Sequence, residues 1–158
     1  MKLREIVVEN AILPALSATE RDDALSEMVD ALVAAGAIPK GKRDEFLDAV
    51  IKRENRGSTG FGHGVAVPHV KHADVKTMGV AIAISEAGVE FNALDRQPVH
   101  SIVLLLSPED RPEDHLDAME AIFGNLQQPT FRRFLAQATS VEDVLTLLDE
   151  ADAGATTH

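Results

Sequence analysis

Apolar residues recur at helical spacing in two segments of the first third of the chain. One stripe precedes Gly36, a residue suited to the position that follows a helix; its members are Leu25, Met28, Val29, Leu32 and Val33. The other follows Pro39 and Gly41, and its members are Phe46, Leu47, Val50 and Ile51. We therefore predict two amphipathic helices, the second with Arg53 in its last turn.

The segment ahead of these helices has a mixed pattern. Residues 6–16 alternate irregularly between apolar and polar positions and contain Pro14, so they predict a short edge strand or an irregular lead-in. Ser17 and Glu20 have the spacing of a capping box, which predicts that the first helix begins at this point.

Short continuous apolar runs in the middle of the chain predict buried strands. These runs are residues 65–67, 80–84 and 99–106, and the last should be buried on both faces. Pro68 has no N–H to donate, so we expect it to end the first strand and to leave His69 at that end. Glu86, Ala87 and Gly88 predict a hairpin turn, with residues 89–91 returning from it.

Three further helices are predicted in the last third. The first begins at Pro112, with an apolar stripe of Leu116, Met119, Ile122, Phe123 and Leu126. The next begins at Pro129 and buries Phe131, Phe134 and Leu135. The last is capped by Ser140 and buries Val144, Leu147 and Leu148. From Ala151 onward we expect the chain to fray.

This order of elements predicts an α/β fold, a single-domain sandwich with a mixed sheet and helices on both faces. The domain should span residues 1–150, followed by a flexible tail at residues 151–158. Nothing in the sequence indicates an internal repeat or a linker that would divide the domain.

Composition narrows the classes of partner and compartment. The chain has 158 residues, with 26 acidic and 15 basic side chains and a net charge of −11, which argues against binding nucleic acid. It has no cysteine, which excludes thiolate metal sites and agrees with a cytoplasmic location. No apolar run approaches the roughly 20 residues of a membrane span, so we expect no direct membrane insertion.

One glycine-rich stretch has the composition of a binding loop. Gly57, Gly60, Gly62 and Gly64 contribute nothing to a core, whereas the hydroxyls of Ser58 and Thr59 could support the loop or donate to a ligand. Arg53 lies upstream and His69 downstream. A glycine loop, an arginine and a histidine at a strand end together predict a site for an anion.

The other histidines leave two chemistries open. His63, His69 and His72, with or without His115, could hold zinc, although their spacing fits no compact metal motif. His63, His72 and His158 are more simply solvent-exposed or half-buried rings. His115 falls in the first turn of its helix, where the positive helix end favours a neutral imidazole beside His69.

Residues 53–69 read Arg-Glu-Asn-Arg-Gly-Ser-Thr-Gly-Phe-Gly-His-Gly-Val-Ala-Val-Pro-His. This run resembles the signature of the fructose, mannitol and nitrogen-regulatory class of enzyme IIA of the phosphoenolpyruvate-dependent phosphotransferase system. Residues 95–108, followed by His115 and Leu116, are also similar to that class. The resemblance covers residues 11–150 and implies a mixed sheet flanked by helices.

The resemblance also implies roles for individual residues. His69 would accept phosphate from the phosphohistidine of an HPr-like carrier, with His115 as a second site histidine and Arg53 near the phosphate. The phosphate would pass to a IIB domain or act as a regulatory signal, without a nucleotide or metal cofactor. Val70, Lys71 and His72 after the Pro-His pair, and His63 in the loop, depart from the family pattern and affect the partner surface.

Three functions therefore compete at this point. The first is phosphoryl transfer through His69, supported by the glycine loop and Arg53. The second is a regulatory binding module that does not depend on phosphorylation. The third is a zinc hydrolase built on His63, His69 and His72.

Overall fold

A computed structural model of the chain describes residues 1–154. Within that range the helices are α1 (Leu3–Ile6), α2 (Arg21–Ala34), α3 (Arg43–Arg56), α4 (Pro112–Leu126), α5 (Pro129–Gln137) and α6 (Val141–Asp152). The strands are β1 (Val7–Leu13), β2 (Gly60–Gly62), β3 (Val65–Ala66), β4 (His69–His72), β5 (Gly79–Val89) and β6 (Val99–Pro108).

The strands form one mixed sheet with β6 at its centre. The order is β1-β5-β6-β3-β2, and β4 also pairs with β6. β6 runs antiparallel to β5 and parallel to β3 and β4. Nine of its ten residues are buried, which confirms the prediction of a strand covered on both faces.

Each face of the sheet packs against its own set of helices. Along β6, Ile102, Leu104 and Leu106 join a core with α2 and α3, whereas Val103 and Leu105 join a core with α1, α4, α5 and α6. This alternation is the period-2 pattern of a strand that is buried on both sides. The predicted α/β sandwich with helices on both faces is confirmed.

The strand predicted to end at Pro68 resumes after it. Val65 of β3 pairs with Ser101 of β6, and His69 of β4 pairs with Leu105 of β6. Both segments therefore keep the same register against β6. The Pro68 carbonyl accepts a hydrogen bond from Leu105 N at 2.9 Å. Proline therefore interrupts the extended line without redirecting it, and His69 begins a strand instead of following one.

The hairpin turn predicted at residues 86–88 is wrong. β5 continues through this segment, and the six residues from Ile84 to Val89 lie opposite only three residues of β6, Val99 to Ser101. The extra residues form a bulge in which Gly88 N donates to Ser85 Oγ at 2.9 Å. Gly88 therefore marks a bulge and not a turn, because β5 pairs with β6 both before and after it.

The predicted capping box at the start of α2 is also wrong. The helix begins at Arg21, and the side chain of the preceding Glu20 makes no capping hydrogen bond. Ser17 instead donates its backbone N–H to Glu27 Oε2 at 3.1 Å. At the other end, Gly36 has φ 81°, as predicted for the residue after a helix. The Ser140 cap of α6 is confirmed, since its hydroxyl accepts from Asp143 N at 3.0 Å.

Two predicted core residues lie at the surface. Leu116 is 61% exposed and Phe134 is 47% exposed. In α4 the buried stripe is instead His115, Ala118, Ile122 and Leu126. A histidine takes the first core position of this helix, so Leu116, one residue on, turns toward solvent.

The last helix extends past the predicted start of the tail. α6 continues through Asp152, Ala151 is buried, and Asp152 accepts hydrogen bonds from the backbone N–H groups of Leu3 and Arg4 at 2.9 Å. The prediction that the chain frays from Ala151 onward is therefore wrong for Ala151 and Asp152. That prediction also covers residues 155–158, which lie outside the described residues, and so does the prediction for His158. Within residues 1–154, no helix is both long and apolar enough to cross a membrane.

The turn between β2 and β3 contains His63, one of the residues that depart from the family pattern. His63 and Gly64 form this two-residue turn with φ values of 59° and 74°. Hairpin turns with two positive φ values favour Asn-Gly, because asparagine adopts this conformation at lower cost than residues with larger side chains.

We predict that His63→Asn raises the free energy of unfolding by about 0.5–1 kcal/mol, because the left-handed conformation becomes less costly. Urea denaturation would measure the change. His63→Ala is the control, since it removes the ring without relieving the backbone. An equal effect of both substitutions would show that the ring, and not the backbone, sets the difference.

Candidate functional site

His69 is held at the start of β4 with one ring nitrogen engaged. Nδ1 lies 3.0 Å from the carbonyl oxygen of Val67, and the ring is half-buried. A carbonyl oxygen can only accept a hydrogen bond, so Nδ1 carries the proton in this contact. In the neutral ring Nε2 therefore keeps its lone pair, which makes it the nucleophilic atom.

His69 lies in an open groove of about 660 Å³ between α3 and β4. The groove is lined by Glu45, Asp48, Ala49, Lys52, Arg53, Arg56, His69, Val70, Lys71 and His72. Lysine and arginine outnumber carboxylates here, although acidic residues dominate the chain as a whole. The groove is therefore a local cationic site suited to an anion.

Arg53 occupies the last turn of α3, as predicted, and faces the same groove. Its Nη1 donates to the carbonyl oxygen of Gly57 at 2.9 Å, which orients the guanidinium at the end of the helix. Burial lowers the pKa of His69; the hydrogen bond to Val67 opposes this change, and the positive charge of Arg53 lowers the pKa further. The ring is consequently neutral at physiological pH.

His115 lies next to His69 and is 6% exposed. The two ring centroids are 5.6 Å apart, with an angle of 56° between the planes. Burial is the main cause that lowers the pKa of His115 to about 4, and electrostatic effects of Lys71 and His69 contribute to the same shift. The sequence predicted a neutral His115 because of the helix end, whereas burial is the leading cause in the structure. Ser107, which sequence reasoning did not identify, lies against the ring with Oγ 2.6 Å from Nδ1.

The glycine loop is held by a buried carboxylate that sequence reasoning did not identify. Glu54 is 3% exposed and accepts from Thr59 N at 3.0 Å and from Thr59 Oγ1 at 2.6 Å. Ser58 Oγ accepts from Gly60 N at 3.0 Å. Both hydroxyls thus support the loop itself. The signal for Glu54 was present, because it lies one residue after Arg53 on a helix that ends at the loop.

The loop glycines satisfy requirements of the β2–β3 hairpin. A Cβ on Gly60 would lie 2.9 Å from Cβ of Ala93, and Gly62 has φ 117°. The described residues that line the groove do not include Gly60, Gly62 or Gly64. Their contribution to holding a phosphoryl group stays a prediction, as do the roles of Ser58 and Thr59 toward it.

The structure does not assemble the three-histidine zinc site. His63 lies exposed in the β2–β3 turn, and His72 stacks on Phe46 and contacts Glu45 through Nε2. Within residues 1–154, the group of potential ligands that comes together is Glu45, His72 and Asp74. His63 and His69 are not part of it, so the geometry gives no support to the zinc hydrolase.

The pKa of His115 makes a prediction about stability. The ring ordinarily titrates at a pKa near 6.5, so between that value and about 4 the unfolded chain binds a proton that the folded chain excludes. The free energy of unfolding therefore falls as the pH falls through this window. The contribution of this one group should reach about 2–3 kcal/mol.

His115→Gln removes this titration. We predict that the wild type loses more of its free energy of unfolding than this variant does when the pH falls from about 7 to about 4. Urea denaturation at several pH values would measure it. Because all other groups are shared, parallel pH profiles for the two proteins would contradict the prediction.

Comparisons with known proteins agree with this fold. The family model described as "Phosphoenolpyruvate-dependent sugar phosphotransferase system, EIIA 2" matches residues 5–151. The fructose-specific EIIA component of Haloferax volcanii is 34% identical over 130 residues, covering 82% of this chain and 83% of that protein. A nitrogen regulatory protein of Bradyrhizobium diazoefficiens is 31% identical, covering 94% of this chain and 95% of that protein.

A third relative is much longer than this chain. The fructose-specific EIIABC component of Bacillus subtilis is 30% identical over 152 residues, covering 96% of this chain. The chain spans only 24% of that protein's length.

Solved structures show the same fold. The nitrogen regulatory protein IIA-Ntr of Neisseria meningitidis aligns with a TM-score of 0.81 and 29% identity, covering 92% of this chain and 98% of that chain. The complex of Escherichia coli enzyme IIAMTL with phosphorylated enzyme IIBMTL aligns with a TM-score of 0.73 and 23% identity, covering 89% and 94%. The resemblance seen in the sequence is confirmed: this chain belongs to the EIIA 2 family of the phosphoenolpyruvate-dependent sugar phosphotransferase system.

Proposed function

We propose that Nε2 of His69 accepts a phosphoryl group from the phosphohistidine of an HPr-like carrier and passes it to a IIB-type acceptor. The observation that carries this proposal is the 3.0 Å contact between Nδ1 and the Val67 carbonyl oxygen. It leaves the Nε2 lone pair available in a groove lined by cations. No nucleotide or metal is required, because both donor and acceptor are imidazoles. We place this exchange in the cytoplasm, the compartment that the sequence predicts.

The transfer is a single displacement at phosphorus. The lone pair of His69 Nε2 forms the new P–N bond, and the old P–N bond breaks with its electron pair returning to the carrier's nitrogen. Nδ1 keeps its proton throughout and continues to donate to Val67. Charge in this step spreads over the equatorial phosphoryl oxygens, so positioning and nearby positive charge are what the protein must supply.

The cations of the groove supply that charge. Arg53 lowers the pKa of His69 electrostatically, and Lys71 acts on both His69 and His115, so both cations lie within electrostatic reach of the site. The same positions attract a dianionic phosphoryl group. We assign Arg53 the principal part because its guanidinium is already oriented by the Gly57 carbonyl.

The acceptor is inferred from the relatives. In the Escherichia coli complex, enzyme IIAMTL is paired with phosphorylated enzyme IIBMTL, and the shared fold supports a similar partner here. Two relatives are named as fructose-specific components, which supports a sugar as the final acceptor of the phosphoryl group.

Incubation with labelled phosphoenolpyruvate, enzyme I and HPr tests the proposal. We expect an acid-labile, base-stable adduct on the wild type and none on His69→Ala, because that substitution removes the accepting nitrogen. Labelled protein separated by electrophoresis, with peptide mapping of the adduct, would measure this.

His63→Ala is the matched control, since it removes a histidine of the same signature that lies exposed in a turn. It should be labelled like the wild type. His115→Ala should be labelled about a hundredfold more slowly, because a neighbouring donor is lost while the acceptor remains. Labelling of His69→Ala at the wild-type level would refute the assignment.

The nitrogen regulatory relative favours a second use of the same phosphoryl group. This chain covers 95% of that protein, so the similarity extends over nearly its whole length. In this role the phosphorylation state of His69 would control binding to a regulatory target, because a dianion in the groove changes the charge that a partner meets.

Affinity capture from the native host, with phosphorylated wild type and His69→Ala as baits, separates these possibilities. A signalling role predicts at least one target protein whose recovery differs severalfold between the two baits. Targets recovered equally with both would instead support a regulatory module that does not depend on phosphorylation.

A further inference from the structure

A fully buried serine lies in hydrogen-bonding contact with the second histidine. Ser107 lies next to the last residue of β6 and has 0% exposure. Its Oγ is 2.6 Å from Nδ1 of His115, which begins the buried face of α4. The contact joins the central strand to the helix that follows it, so both partners are fixed by the fold.

The direction of this hydrogen bond follows from counting protons. A serine hydroxyl has one proton to donate, and within residues 1–154 the one hydrogen bond formed by Ser107 Oγ is that to His115. If Nδ1 were the donor, the hydroxyl proton would be buried without a partner, which is unfavourable. The arrangement that satisfies both groups has the hydroxyl donating to Nδ1.

A neutral ring that accepts at Nδ1 carries its proton on Nε2. Burial keeps the His115 ring neutral, so this count applies at physiological pH. His69 has the opposite arrangement, because its Nδ1 donates to the Val67 carbonyl. The two adjacent rings are therefore held in opposite tautomers by two different partners, one a carbonyl and one a hydroxyl.

We propose that Ser107 is a positioning residue that fixes the Nε2–H tautomer of His115, so that His115 donates a hydrogen bond to a phosphoryl oxygen on His69. The proposal rests on the proposed function of His69. A separation of 5.6 Å between ring centroids leaves room for a phosphoryl group attached to one ring to meet the N–H of the other. The other tautomer would instead direct a lone pair at a negatively charged oxygen.

The proposal predicts a spectroscopic signature in the unphosphorylated wild type. Long-range ¹H–¹⁵N correlation spectra of protein labelled with ¹⁵N-histidine distinguish protonated from unprotonated ring nitrogens. We expect His115 to be protonated on Nε2 and His69 on Nδ1. Protonation of His115 on Nδ1 would overturn the proposal, and this measurement needs no substitution.

Variants then connect the tautomer to transfer. Ser107→Ala removes the hydroxyl, so His115 should populate both tautomers, and labelling of His69 should slow by about tenfold, less than the roughly hundredfold typical of losing an entire donor. Ser107→Thr keeps a hydroxyl and should restore both the tautomer and the rate. Thermal unfolding would check that each variant is folded.

Ser101→Ala is the matched control, since Ser101 is a second buried serine of β6 at 1% exposure and, within residues 1–154, the side-chain hydrogen bond of His115 is with Ser107 instead. It should leave the tautomer and the rate unchanged. If Ser107→Ala also left them unchanged, Ser107 would have no positioning role. If the wild type were never labelled on His69, the proposed function would fail, while the ¹⁵N spectra would still decide the tautomer of His115.

Discussion

The hydrogen bond from His69 Nδ1 to the Val67 carbonyl is the constraint on which the site depends. Val67 is itself held by the residue that precedes β2, because its N–H donates to the carbonyl of Thr59 at 3.4 Å. Thr59 in turn is bound twice by the buried carboxylate of Glu54. A chain of contacts therefore leads from the end of α3 to the histidine, and the glycine loop belongs to this chain as a support.

Pro68 makes that arrangement compatible with a continuous sheet. Its carbonyl faces β6 and accepts from Leu105, so the neighbouring Val67 carbonyl faces the other way, toward the edge where β2 begins. On that side the ring of the next residue, His69, meets the Val67 carbonyl. The same register sets Ser107 opposite Lys71, two positions beyond His69, so β6 fixes the relative placement of both histidines.

The sequence predicts the parts of this molecule that depend on local periodicity. Most positions of the helical stripes, the buried β6 and the location of Arg53 in the last turn of α3 follow from patterns of neighbouring residues. The errors arise where distant partners decide: the bulge in β5 depends on pairing with β6, and the strand after Pro68 depends on the same central strand. Ser107 and Glu54 were missed because a buried serine and a buried glutamate acquire meaning only from the groups they meet, His115 and Thr59.

The charge of the groove must compensate for the helix that forms its wall. α3 ends beside His69, and the end of a helix carries a partial negative charge that would oppose a dianion. Lys52, Arg53 and Arg56 lie in its last two turns, on the side that lines the groove. At an effective dielectric constant near 20, a single cation about 4 Å from a unit negative charge contributes about 4 kcal/mol, more than the effect of a helix end. The acidic surface elsewhere acts over longer distances and is screened by salt within about 10 Å. A chain of net charge −11 can therefore hold a phosphoryl group, because the few cations that decide the local field are built into the helix that presents it.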